Sequence, residues 1–503
     1  MILAFDIGTT AVKATLFGEG LAAVAGESVE YRLLAPGGSR VELEPETYWS
    51  GMRDCVGRLL ARRPGAAREL RGIGVTTQGE TLIPVDAAGR PLRNAIVWLD
   101  GRAAAEAARI RERWDKAEFY ARTGIPDCNG LCPVSKLLWI KEREPDVYRR
   151  TRAFLLLEDY ILFRLTGRLA SEKSLLSTTG YFDIAADRPW EGMLDSIGVD
   201  PALLPEALEC GSPVGELLPG AAAELGLRPG VAVATGAMDQ AAGAIGAGNA
   251  SPGLVSETTG TALAVALTCE RPDFRHPARP TLYRHAIAGK YLYIPICMTA
   301  GMALKWFKDE FCPDLAAAAA SRGVSPYDLI GELVESTAPG ANGLVLLPNL
   351  AGTTQPDDNP AARGVFLGVG LDTGRAHFAR AIFEGVAFML RENLELVEAA
   401  GGTRAAEIRS LGGGARSAAW SRIKADVTGR RIVAMAEPEC ASLGAAILVA
   451  TALGRYPSIE AAAAASNRAA ASFEPDPARA APYEAAYARY KRLYERTRDL
   501  FQE

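Results

Sequence analysis

The sequence predicts an α/β protein of two domains, each a mixed sheet flanked by helices, with a cleft between them. A repeated unit carries most of this. Met1–Gly18 (MILAFDIGTTAVKATLFG) and Leu254–Leu267 (LVSETTGTALAVAL) each give an apolar strand, a tip rich in Gly and Thr, and an alternating strand running back. Size agrees, because 503 residues are long for one domain and comfortable for two. The boundary falls where an Ala/Gly-rich helix ends at Asn249-Ala250-Ser251-Pro252-Gly253, giving domains 1–248 and 249–503.

Residues 2–5 form a short apolar run suited to a buried strand. Asp6 arrives where that strand should end, followed by Gly8, Thr9 and Thr10; Val12, Ala14 and Leu16 then alternate with Lys13 and Thr15. Glycine lets main-chain N–H groups come close to phosphate oxygens, with hydroxyls beside them. Asp6 would hold a magnesium ion or its water shell at the same tip. An ordinary hairpin with a polar tip reads equally well from this stretch alone.

Residues 46–60 have helical spacing, and the 72–77 strand delivers Gln78, Gly79 and Glu80 to its end. The apolar run 95–98 leads into Asp100 and Arg102; residues 135–143 and 154–165 read as helices. The chain returns to strand near 228–235, then enters Gly236-Ala-Met-Asp239-Gln240 and a small-residue helix to Gly248. In the second half, residues 378–397 are the clearest helix, stopped by Gly401-Gly402. Strand 407–411 feeds Gly412-Gly413-Gly414-Ala415, then helix 418–427 and strand 432–435 follow. The tail, 483–501, is an amphipathic helix whose tyrosines at 483, 487, 490 and 494 read as packing.

Composition narrows the class. Fifty-five basic against sixty acidic residues leave a net charge of -5, which argues against a nucleic-acid or membrane-surface partner. The N-terminus starts directly in a strand with no signal-peptide pattern, and no run of about 18 apolar residues appears, so a cytoplasmic protein is expected. Eight scattered cysteines and three histidines form no zinc set and read as buried reduced thiols. A homodimer is a base-rate expectation only.

Together the parts read as a phosphoryl-transfer site, where the protein supplies phosphate cradles, a metal and an oriented nucleophile. Gly8, Thr9 and Thr10 with Lys13 nearby form one cradle, and Thr259, Gly260 and Thr261 the other. Gly412–Gly414, between strand and helix, would let an adenosine ring lie against the backbone. Neither a G-x-x-x-x-G-K-[ST] loop nor a dinucleotide fingerprint is present.

Five segments, in order, resemble the FGGY carbohydrate kinases: DIGTTAVKA, GAMDQAAGAIG, ETTGTA, GVFLGVGLDTGRAHFARAIFE and LGGGARSAAW. The middle signature, LCPVSKLLWIKER, departs at Leu131 and Arg143. The resemblance implies two actin-like ATPase (ribonuclease H-like) domains, ATP with Mg²⁺, and Asp239 as general base on a sugar hydroxyl. Read from the residues, Asp239 also suits an N-cap for a helix starting at Gln240. Asp6 and Asp239 are the implied metal-side carboxylates; Gly301, Lys305, Gly413, Gly414, Ala415 and Ser417 are implied on the nucleotide side, Lys305 alternatively being solvated.

The sugar side is expected at Gln78, Glu80, Trp98, Asp100 and Gln240. A carboxylate such as Glu80 accepts two hydroxyl hydrogen bonds, which suits a polyol or open-chain ketose, though a solvated surface Glu is equally compatible. Trp98 reads mostly as packing, and Asp100 and Arg102 as either structural or substrate-proximal. The resemblance implies phosphorylation of a small sugar, a ketopentose such as xylulose first. A glycerol- or erythritol-type polyol kinase, or another ketose kinase, is second. An actin/Hsp70-like protein ATPase is the reading from another class.

Overall fold

The computed structural model describes residues 1–502, and the chain divides into two compact units. The first comprises Met1–Ala250, Asp273–Leu292 and Glu439–Asn467; the second comprises Ser251–Pro272, Tyr293–Pro438 and the chain from Arg468 onward. The division is thus not one cut along the chain.

In the first unit, strands Pro213–Glu216, Ala232–Ala234, Gly72–Thr77, Ile2–Ile7, Ala11–Phe17 and Ala23–Glu30 lie side by side in that order. Ile2–Ile7 runs antiparallel to Ala11–Phe17 and parallel to Gly72–Thr77. All six residues of Gly72–Thr77 are buried, as expected of a central strand covered on both faces. The short strand Ala237–Met238 also pairs with it in parallel.

The second unit repeats the plan. Leu263–Cys269, Leu254–Thr259, Glu407–Leu411, Arg431–Met435 and Ala469–Phe473 are successive neighbours. Leu254–Thr259 is antiparallel to its hairpin partner and parallel to Glu407–Leu411. The helix Arg375–Gly401 buries most of its length, and Gly402 ends it at φ 60°. The tail helix Ala480–Thr497 buries Tyr483, Tyr487 and Tyr490; Arg380 donates to the Tyr483 hydroxyl at 2.6 Å, so the tyrosine stripe is packing.

Residues 154–165 are not a single helix: Ala153–Leu156 is a strand antiparallel to Leu82–Val85, and the helix is Leu157–Thr166. A continuous apolar run has no period to separate strand from helix, and the neighbouring strand decided it. All eight cysteines are buried, and among the described residues none is joined in a disulfide. Among the described residues no helix is long and apolar enough to cross a membrane.

The segment Glu439–Asn467 joins the first unit through its helix Cys440–Ala452, which packs on helix Asp239–Gly246 and on strands Ile2–Ile7 and Gly72–Thr77. A Cβ at Gly246 would overlap the Cys440 carbonyl, and one at Gly444 the Ala242 carbonyl. The two helices therefore cross backbone to backbone, at a point where glycine is the residue that fits. Gly444→Ala is expected to push them apart at a cost of about 1–3 kcal/mol. Thermal unfolding checks this, and a melting temperature equal to the parent's would refute the crossing as described.

Candidate active site

Strand register assembles the first group of candidate residues. Ile7 pairs with Thr77, and Met238 with Thr77 from the other side. Three strands therefore end at one level of the sheet, releasing Gly8–Thr10, Gln78–Glu80 and Asp239 from a single edge. Asp239 opens the helix Asp239–Gly246, and both the main-chain N–H and the side chain of Gln240 donate to its carboxylate.

Three carboxylates meet here. Burial pushes Asp239 up to about 7, with the Asp6 and Glu80 charges adding to the effect. Burial likewise raises Asp6 to about 6 against the pull of Lys13, and Glu80 to about 7 against that of Lys136. Glu80 sits at φ 51°, an uncommon conformation for a residue with a side chain. Thr178 bonds its carboxylate.

Lys136 was not singled out from sequence. It is fully buried in the helix Pro133–Arg143, and its Nζ donates to the main-chain carbonyls of Glu80 (3.1 Å), Val97 (3.1 Å) and Trp98 (3.4 Å). Burial lowers it to about 8. One ammonium thus ties the Glu80 turn to the Trp98 turn. The available signal was a lysine on the buried apolar face of that helix.

The first tip is braced in several ways. Trp98 Nε1 donates to Thr9 Oγ1 at 2.9 Å, and Tyr31 donates its hydroxyl to the Gly8 carbonyl. Lys13 pairs with Glu439 at 2.6 Å, while Thr10 is exposed. Gln78 is buried, and its Nε2 donates to the Tyr48 hydroxyl at 3.2 Å. Tyr48 in turn packs edge-on against Tyr31 at 5.5 Å. The Gln78 side chain therefore supports the tip from below and does not line an open surface.

Asp100 leaves the set of substrate contacts. It is fully buried, and both its oxygens are engaged: Arg102 reaches them at 2.6 and 2.8 Å, and the Val41 N–H at 2.6 Å. Arg102 lies over the Trp139 ring at 4.9 Å, which completes a closed structural ion pair.

In the second unit, Thr258 pairs with Leu411, so the Thr259–Thr261 tip and the Gly412–Gly414 turn leave the sheet at the same edge. They border a cavity of about 600 Å³. Thr259, Gly260, Thr261, Gly301, Lys305, Gly413, Gly414 and Ser417 all line it; Ala415, in the turn Gly413–Arg416, does not. Lys305 is exposed and paired with Asp309. Gly412 adopts φ 75°, and a Cβ on Gly414 would lie 2.7 Å from Thr259 Cβ, so the two loops touch only because these positions are glycine.

The Thr259 hydroxyl is already spent inside the protein. It donates to Glu257 Oε2 at 2.6 Å and accepts from Lys424 Nζ at 2.8 Å. Its side chain is therefore withdrawn from the phosphate contacts expected of it, leaving the exposed Thr261 hydroxyl and the loop main chain. Sequence reasoning also missed the aromatic wall. Phe383 and Trp420 stack at 4.6 Å, and both line the cavity together with Tyr327. Such a wall suits a flat heterocycle.

Residues 1–246 match the FGGY family of carbohydrate kinases, N-terminal domain, and residues 255–453 match its C-terminal domain. The xylulose kinase of Bacillus subtilis (strain 168) is 30% identical over 99% of this chain and 97% of its own length. The gluconokinase of the same organism is 29% identical over 92% of this chain and 89% of its own. The crystal structure of xylulose kinase from Rhodospirillum rubrum superposes with a TM-score of 0.89 at 28% identity, covering 100% of this chain and 99% of that one. With both domains matched in order along the chain, this protein belongs to the FGGY family of carbohydrate kinases.

Proposed function

We propose that this carbohydrate kinase transfers the γ-phosphoryl group of ATP to a hydroxyl of a small uncharged sugar, a ketopentose such as xylulose first. The observation that carries the reading is the convergence of Asp6, Glu80 and Asp239 at three aligned strand ends. Asp239 takes the proton of the acceptor hydroxyl as its oxygen attacks phosphorus. Glu80 accepts from neighbouring sugar hydroxyls, and Gln240 holds the Asp239 carboxylate in place. In the second unit, the Phe383–Trp420 wall and Gly413–Gly414 receive the adenosine end of the nucleotide.

Asp6 and Asp239 would hold Mg²⁺. Their mutual repulsion is what a divalent cation relieves, and Mg²⁺ needs only one or two protein carboxylates beside substrate phosphates. When bound, it would neutralise phosphate charge.

The likeness to a gluconokinase raises a sugar acid as an alternative acceptor. Local charge disfavours it. The groups gathered at this edge are carboxylates, Lys136 is turned onto main-chain carbonyls and Lys13 is paired with Glu439. A sugar acid's carboxylate would meet like charge.

Coupled ADP release over a panel of ketoses, polyols and sugar acids tests the proposal, with xylulose expected among the best acceptors. ATP turnover that needs no sugar and survives Asp239→Asn would instead indicate a protein ATPase.

Glu80 should make acceptor binding depend on pH. Its carboxyl is raised to about 7, so it gains a proton as pH falls through that value and loses acceptor capacity. Lys136, at about 8, stays largely protonated over the same range, and the Thr178 hydroxyl can rotate to suit either state. The acceptor KM should therefore rise below about pH 7, and Glu80→Gln should flatten that rise. A KM profile identical in parent and variant would exclude Glu80 from the acceptor site.

A further inference from the structure

We propose that Tyr283 reads the acceptor, its phenol donating a hydrogen bond to a sugar oxygen beside Glu80 and Asp239. This rests on the kinase reading above and adds to it a specificity residue from an unexpected part of the chain. Tyr283 lies beyond the second hairpin, within the span matched by the C-terminal family domain, yet the segment Asp273–Leu292 belongs to the first unit.

The placement is fixed by backbone anchors on both sides. The Leu282 N–H donates to the Gly124 carbonyl at 2.9 Å, and the Tyr120 hydroxyl donates to the Pro280 carbonyl at 2.9 Å. The Arg284 N–H donates to Ser177 Oγ at 3.2 Å, and the Arg284 guanidinium reaches Asp187 at 3.4 Å. Leu282 and Arg284 are both buried, so strand alternation turns Tyr283 to the opposite face, where it is part-exposed.

The next residue after the Ser177 anchor is Thr178, which bonds Glu80 and sits 3.4 Å from where a Cβ on Gly79 would be. The strand carrying Tyr283 is therefore stitched to the segment that touches the Glu80 turn. Burial together with the facing Glu80, Cys132 and Asp239 groups keeps the phenol far from ionising. It is a neutral donor among carboxylates, which are acceptors. Polyhydroxy substrates need both, because each sugar hydroxyl donates one bond and accepts others.

Tyr283→Phe keeps the ring and removes only the donor. The acceptor KM is expected to rise about tenfold with the ATP KM unchanged. A series of monodeoxy analogues of the best acceptor then identifies the partner atom. The deoxy position read by Tyr283 should lose its penalty in the Phe variant, while the other positions keep theirs. An unchanged acceptor KM with every deoxy penalty intact would overturn the assignment, and so would an equal rise in both KM values, which marks a structural role. If the parent protein phosphorylates no sugar at all, it is the kinase reading that fails.

Discussion

Asp239→Asn lowers kcat by about 10²–10⁴-fold, the range that a positioned general base contributes, while ATP binding stays near that of the parent. The substitution is nearly isosteric. An Asn oxygen can still accept from Gln240, so the start of the helix Asp239–Gly246 survives. It cannot take a proton from the acceptor. Met238 and not Asp239 stands at the N-cap of that helix, so the expected capping role falls away, and Asn at the first helical position keeps the Gln240 contacts that a structural role would need. A merely structural Asp239 would leave turnover intact. Removing the carboxylate also relieves repulsion with Asp6 and Glu80, so the melting temperature above pH 7 should hold or rise while activity collapses. Coupled ADP release, nucleotide titration and thermal unfolding on one preparation check all three. Near-parent turnover would remove Asp239 from the chemistry.

The repeated hairpins, Asp239 and the glycine turn at 412–414 were legible in the sequence because each has a local signature: a strand stop, a polar tip, a helix start. What joins them was not. Ile7, Thr77 and Met238 share one level of the sheet only through strand pairing, and no window of sequence contains all three. Burial was equally invisible. Asp100 and Thr259 have the chemistry of ligand contacts, but Asp100 is buried with both oxygens taken by Arg102 and the distant Val41 N–H, and Thr259 is satisfied by Lys424, 165 residues on. The burial and the long-range partners exist only in the fold. Lys136 and Tyr283 show the converse. Their neighbours in sequence are apolar or unremarkable, and their significance comes from the turns that they face. A residue's type is written locally, whereas its hydrogen-bond account is settled by the fold.

Lys424→Met should strongly destabilise the second unit. Lys424 and Glu257 are both completely buried, and Nζ lies 2.7 Å from the carboxylate. Thr259 and Ser410 also donate to that carboxylate, and the ammonium lies 5.3 Å from the centre of the Trp420 ring. Methionine matches the volume but leaves Glu257 as a buried charge held only by hydroxyls. Breaking such a pair from one side costs about 3–5 kcal/mol, most of it the burial of the surviving partner. The double variant Lys424→Met/Glu257→Gln removes both charges and should recover a large share of that loss. Two units need not unfold together, so hydrogen exchange along Leu254–Thr259 is a better readout than a single melting temperature. The network also has a functional face. It fixes the Thr259 side chain on which Gly414 packs, so loosening it should raise the KM for ATP and leave that for the acceptor alone. A single variant with parent-like exchange protection and an unchanged KM for ATP would mean that the buried pair neither holds the loop nor the unit. A double variant as damaged as the single one would assign the cost to lost packing and not to stranded charge.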